Sequence, residues 1–208
     1  MNDPFPGLWR NFYGLILADP PWRFESWNGK DAEKSPARHY DLMSLDGIKA
    51  LPVESLAAPD CALVVWGVQA MMPEAFELMR AWGFTPKSTG AWAKQSKSGE
   101  KWAFGTGYIF RSAAEFYVLG TRGKPRVAVR DVRNLIVAPV REHSRKPDQL
   151  HADLERMFPH VPKLELFCRE RRPGWDAWGN HVDKFEARTA SAEWEALGGA
   201  RELEWEGL

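Results

Sequence analysis

Leu15-Ile16-Leu17-Ala18-Asp19-Pro20-Pro21-Trp22 is the stretch that decides how this chain is read. An apolar run stops at once on an acid, two prolines and an aromatic. With no polar alternation from Tyr13 onward, the run predicts a strand from Tyr13 to Ala18, buried on both faces in the middle of a parallel sheet. Proline cannot donate a ladder hydrogen bond, so the strand ends where the prolines begin. Asp19 is thereby set at a strand's carboxyl end, where open α/β sheets keep their sites.

Around that stretch, 208 residues suffice for one good core, and one domain is the expectation. Hydrophobic residues make up 44% and charged residues 27%, values of a globular chain. Eleven tryptophans exceed what a core of this size needs, so some are expected on a surface that stacks on flat ligands, the rest as amphipathic packing. Formal net charge is zero, which excludes a global field that draws the molecule onto a polyanion. Contacts with nucleic acid must then come from local patches. Cys61 and Cys168 stand apart from each other and from any histidine at ligand spacing, which predicts neither a disulfide nor zinc. The five histidines are scattered, and no metal is expected. No signal peptide and no run of eighteen apolar residues is present, so a cytoplasmic protein without membrane contact is expected.

Along the chain, residues 23–34 are polar and read as a loop directly after the motif. Ser44 is a candidate N-cap for a short helix. Cys61 to Trp66 predicts a second buried strand, and Pro73 to Trp82 a helix with Phe76, Met79 and Trp82 on one face, closed by Gly83. Thr89 to Lys94 predicts a third strand, with a basic connection over 95–101. Ala114 to Leu119 predicts a fourth, turned by Gly120 and Gly123. Arg122, Lys124, Arg126, Arg130 and Arg133 form one basic run. Lys146-Pro147-Asp148 opens a helix with Pro and an acid in its first turn, and Leu150, Leu154, Met157 and Phe158 on its buried stripe. Pro159 stops it. Lys163 to Phe167 predicts the last strong strand, with Glu165 an acid inside an apolar run. From Lys184 the chain turns acidic and Ala-rich, giving a division into a domain over 1–183 and a helix or tail over 184–208.

An acid, a restricted backbone and a ring suit one reaction class. The exocyclic amine of adenine is a poor nucleophile, because its lone pair is delocalised into the ring. A protein that alkylates it must hold both amine hydrogens out of the base plane. Asp19 can supply a carboxylate oxygen, and Pro20 a carbonyl on a backbone restricted by two prolines. Trp22 offers a ring on which an extruded base could stack, an interaction worth about 1–3 kcal/mol. The same four residues are also an ordinary way to end a strand and turn.

Context separates these two meanings. Leu17 to Trp22, His39-Tyr40, Leu63 to Trp66, Ala81 to Phe84, Trp92 with Lys94, Gly107-Tyr108 with Arg111 and Glu115, Ser144 to Asp148, Glu165 to Phe167 with Arg169, and Trp175 with Trp178 to Asn180 occur in one order. In that order the chain resembles the DPPW family of adenine-N6 methyltransferases, also called the MTA family, over roughly residues 13–183. The resemblance implies a single-domain, Rossmann-like S-adenosylmethionine fold of the α/β class, in permuted order, with the catalytic motif ahead of the cofactor half. It implies catalysis by Asp19, Pro20, Pro21 and Trp22. It implies cofactor binding by Asp19, Lys146, Glu165, Phe167, Arg169, Arg171, Asn180 and His181. Lys146 would pair with the cofactor carboxylate, and Glu165, Asn180 and His181 would contact the ribose. On the substrate side it implies Trp22, His39, Tyr40, Lys94, Tyr108, Arg111 and Ser144. Cys168 stands where family members read Gly, which weakens Arg171 relative to Arg169. Asn2 and Asp3 are the remaining candidates for the cofactor's adenine.

These readings converge on transfer of a methyl group from S-adenosylmethionine to N6 of adenine, with DNA preferred to RNA because the chain has no room for RNA-targeting domains. The alternatives are the same chemistry on RNA, N4-cytosine methylation, and an inactive nucleic-acid-binding partner subunit. A homodimer or a partner subunit would add positive charge that the chain lacks.

Overall fold

The computed structural model describes residues 3–22, 43–105, 109–141 and 145–179. Its sheet has seven strands: β1 (Tyr13–Ala18), β2 (Ala57–Gly67), β3 (Thr85–Gln95), β4 (Ala114–Arg122), β5 (Leu135–Pro139), β6 (Lys163–Leu166) and β7 (Asp176–Trp178). They lie in the order β5-β3-β4-β2-β1-β6-β7. Among the described residues three helices, α1 (Leu45–Lys49), α2 (Met72–Ala81) and α3 (Gln149–Met157), accompany them, with two single 3-10 turns at Val53–Ser55 and Gln69–Met71.

β1 is buried at all six positions, as its unbroken apolar sequence predicts, and pairs in parallel with both β2 and β6. Its side chains alternate between two cores. Ile16 and Ala18 join Leu63, Val65, Leu164 and Leu166 in the core that holds Ile48 of α1 and Leu78 and Met79 of α2. Leu15 and Leu17 join Ala62, Val64, Trp92 and Ile136 in the core that holds Leu150 and Leu154 of α3. A strand covered on both faces has no place for polar residues, and none is present before Asp19.

The sheet is mixed rather than parallel, because β4 runs antiparallel to both β2 and β3. β3 with β5 and β6 with β7 are parallel pairs. Six strands therefore end at one edge, and β4 begins there.

Several local expectations are met. The Ser44 side chain accepts from the Gly47 amide and caps α1. α2 runs to Ala81 with Trp82 as its C-cap, and Gly83 follows at φ +81. Others are corrected. Gly120 lies inside β4 rather than at its turn; a Cβ there would stand 2.3 Å from the Met79 sulfur and 2.9 Å from the Thr85 carbonyl, so the residue admits α2 to the sheet. The turn follows at Gly123, φ +61. α3 starts at Gln149, so Pro147 and Asp148 precede it; the Asp148 carboxylate is drawn off to Arg141 and Arg172. β5 and β7 were not expected at all. Among the described residues, no helix is long and apolar enough to cross a membrane.

Candidate active site

The motif continues β1 over the shared edge of the sheet. Asp19 keeps a backbone link to its neighbour, its amide donating to Leu166 O at 3.3 Å. Pro20 is buried, and its carbonyl accepts the Trp22 amide at 2.8 Å, a tight turn across Pro21. One of the two Pro20 lone pairs is thereby used, and among the described residues no backbone amide takes the second. Trp22 differs from expectation. Its ring is only 5% exposed and packs in the core, while its indole N–H donates to Trp66 O at 2.9 Å. Here it pins the motif to the end of β2 and offers no open stacking face.

Asp19 faces cations. Lys146 Nζ donates to Asp19 Oδ2 at 2.8 Å, and Arg169 lies 3.8 Å from the same oxygen. Lys146 also stands 3.5 Å from Glu115 Oε2 and 5.5 Å from the Trp66 ring centroid. Glu115 in turn takes Lys94 at 3.1 Å. These side chains come from five places at one edge: the end of β1, the end of β3, the start of β4, the segment before α3 and the segment after β6. Burial pulls the Lys146 ammonium down, but the carboxylates of Asp19 and Glu115 outweigh it and hold it above its ordinary value. Burial pushes Glu115 up, yet Lys146 and Lys94 prevail and hold it below the usual carboxylate range.

A cleft opens beside Asp19, lined in part by Lys146, His151, Glu165, Phe167 and Arg169. Glu165 leaves β6 on the α3 face and meets His151 Nε2 at 2.8 Å. Phe167, at the strand's end, adopts φ +62, rare for a residue with a side chain, and its ring meets Trp178 edge-on at 5.2 Å. The segments that carry Lys146 and Arg169 are tied together by Arg145, which grips both oxygens of Glu170 at 2.8 and 2.7 Å. Cys168 is buried, which, with the charge of Glu165, pushes its thiol up to about 12.

The structure thus brings together Asp19, Pro20, Lys146, Glu165, Phe167 and Arg169, with Lys94 joined through Glu115. Arg171 is exposed and does not line the cleft; Arg172 lines it instead. Arg111 is exposed, its guanidinium 4.9 Å from the Phe104 ring centroid. His39, Tyr40, Tyr108, Ser144, Asn180 and His181 lie outside the described residues, as do Asn2, the loop over 23–34 and the tail over 184–208. The basic run begins at the end of β4 with Arg122, across the sheet from Asp19, where Arg122 donates to Glu54 O at 2.8 Å. It does not flank the cleft. Glu115 and His151 were missed as site residues. For His151 a signal exists: it sits on the buried stripe of α3 between Leu150 and Leu154, opposite an acid that needs a partner.

The MT-A70 family profile matches residues 13–181. The chain belongs to the MT-A70 family. It is a methyltransferase with the fold of S-adenosylmethionine-dependent enzymes. It is 31% identical over 201 residues to the type II methyltransferase M.MunI of Mycoplasma sp, covering 88% of this chain and 83% of that one. It is 32% identical to the N(6)-adenosine-methyltransferase MT-A70-like protein of Arabidopsis thaliana, over 82% of this chain and 24% of the relative. It is 29% identical to the N(6)-adenine-specific methyltransferase METTL4 of Homo sapiens, over 86% of this chain and 39% of the relative. The chain therefore spans most of the first relative and less than half of the other two.

Proposed function

We propose that this MT-A70 member transfers a methyl group from S-adenosylmethionine to N6 of adenine in DNA. The observation that carries the reading is Asp19, fixed at the end of β1 beside Lys146 and Arg169, in one cleft with Glu165. The donor set fits the cofactor: carboxylates for an ammonium and a ribose diol, and two cations for a carboxylate. Asp19, Lys146, Glu165 and Arg169 would hold it, in a permuted order that puts the strand of the motif ahead of the neighbouring β6. When bound, the cofactor supplies a methyl group on a positively charged sulfonium.

On the protein side, Asp19 accepts one amine hydrogen, and the free lone pair of Pro20 accepts the other. Together they turn the nitrogen lone pair out of the base plane. With the cofactor bound, these two acceptors would hold the nitrogen in line for the methyl group it supplies, and the amine proton displaced on transfer would pass through Asp19 to water. Asp19, held by Lys146 and Arg169, orients the amine and has no need to act as a strong base.

The residues between the end of β3 and the start of β4 support a polymer substrate. Trp102, Phe104 and Phe110 are exposed there, next to Lys94 and Arg111. Rings beside cations suit bases beside phosphates. The preference for DNA rests on the match along most of the type II methyltransferase. Two unpaired, buried cysteines support a cytoplasmic setting.

The test is transfer of a tritiated methyl group to single-stranded DNA, duplex DNA and RNA, with nucleoside analysis of the product. N6-methyladenine from DNA is expected, and Asp19→Ala should abolish it while melting as a folded protein. N4-methylcytosine, label in RNA alone, or unchanged transfer by Asp19→Ala would each refute the corresponding part.

A further inference from the structure

His151 is the one polar or charged residue among the described ones that is classed with the core, at 6% exposure. A histidine in that position needs a reason, because burying its ring desolvates two nitrogens. Two contacts hold it among the described residues. Nε2 lies 2.8 Å from Glu165 Oε2. The Trp175 ring meets the imidazole edge-on, centroids 5.3 Å apart, and the Trp175 indole is itself held by Glu155 Oε1 at 2.8 Å. Nδ1 is buried, with no hydrogen-bond partner among the described residues.

These contacts decide the proton's place. An ionised carboxylate only accepts, so Nε2 must donate to Glu165. A proton on Nδ1 would then be a buried donor with no acceptor, whereas a bare lone pair there costs less. That arrangement calls for the Nε2–H tautomer, in a ring wedged by a tryptophan that a second acid fixes. Its effect falls on Glu165: Oε2 is engaged and the carboxylate's rotation is set. Leu164 and Leu166 pack in the opposite core, so β6 cannot reorient Glu165 without disrupting that packing.

We propose that His151 is a positioning residue that sets the Glu165 carboxylate for recognition of a ribose diol. This rests on the reading of the cleft as the S-adenosylmethionine site, where an acid near a strand's carboxyl end takes ribose hydroxyls. His151 touches no ligand itself; it acts through Glu165.

The experiment measures equilibrium binding by calorimetry of S-adenosylhomocysteine and of its counterpart lacking both ribose hydroxyls. The wild type should prefer the diol. His151→Leu should reduce that preference about tenfold, the size expected for losing a hydrogen bond to a charged group, while leaving affinity for the diol-free counterpart within about twofold. His151→Gln, whose amide can donate from a similar position, should restore most of the preference. Equal weakening of both ligands, or an unchanged preference, would overturn the proposal, the first by reducing His151 to a packing residue. Should His151→Leu not fold, nitrogen NMR of the wild-type imidazole decides: a proton on Nε2 supports the arrangement and one on Nδ1 overturns it. A wild type that binds neither ligand would remove the cofactor reading and this inference with it, whereas binding without the His151 effect removes the inference alone.

Discussion

Lys146→Met tests the charge arrangement at its centre. The substitution keeps an unbranched chain of similar length over Trp66 and removes the cation between two acids. At 2.8 Å from Asp19, an effective dielectric of about 20 gives a Coulomb attraction of about 6 kcal/mol. Burial of Lys146 opposes much of it, since its side chain is only 16% exposed. Removing one partner of a buried pair costs about 3–5 kcal/mol. Here Asp19 keeps Arg169 at 3.8 Å and Glu115 keeps Lys94 at 3.1 Å, so we expect about 2–3 kcal/mol. The pH dependence follows from the two shifted groups. Lys146 is held above its ordinary value, so its contribution is complete below about pH 10.4 and is lost as the pH rises through its folded value. Glu115 is held low, so its contribution is complete above about pH 4.3 and is lost as the pH falls through its folded value. The cost of Lys146→Met should therefore be flat from about pH 5 to 9 and shrink toward pH 3, as Glu115 protonates and no longer needs a cation. Urea denaturation of both proteins at pH 3, 5, 7 and 9 measures this. A cost below about 0.5 kcal/mol at pH 7, where exposed pairs lie, or an equal cost at pH 3 and pH 7, would refute the reasoning.

Trp22→Phe should destabilise by about 2–4 kcal/mol, through lost volume and an unpaired Trp66 carbonyl; a melting curve like the wild type's would contradict the anchoring role. Gly90→Ala would set a Cβ 2.1 Å from Tyr117 Cζ, and Tyr117 is buried against Trp66 with centroids 5.2 Å apart. The expected cost is about 1–3 kcal/mol, with methyl transfer lowered because the strain reaches the ring beneath Lys146; thermal unfolding and the transfer assay read both. Phe104→Ala with Phe110→Ala removes rings that are 76% and 86% exposed. Binding of a single-stranded oligonucleotide, followed by anisotropy, should weaken at least about tenfold, at about 1–3 kcal/mol per stacked base, with melting unchanged.

Which elements the sequence reveals depends on how completely they are buried. β1, β2, β6, α2 and α3 announce themselves because each commits a full face, or two, to a core. β5 is an edge strand whose Leu135 and Val137 are exposed, so its five residues follow the arginine run without the closed apolar pattern of a central strand. β7 has three residues and exists because Trp178 closes on β6. The antiparallel course of β4 leaves no local trace, and Gly120 misleads there, since a glycine that admits a helix reads like one that makes a turn.

The site divides along a similar line. Asp19 was legible because prolines and an apolar run frame it, yet its partner Lys146 stands 127 residues away, and no local pattern states that a lysine expected to meet a ligand also meets the acid of the motif. That pairing changes the chemistry argued for Asp19. An acid flanked by Lys146 and Arg169 is oriented by them, which suits an acceptor that fixes an amine hydrogen. Glu115 extends the same logic: placed opposite Lys146 and Lys94, it balances cations that would otherwise gather at one edge. Trp22, the most conspicuous ring of the motif, acts from below by tying Pro20 and Asp19 to β2. The stacking surface must then be sought on the exposed rings between β3 and β4, and under the proposed function the motif would position the amine while these separate residues hold the base's neighbours.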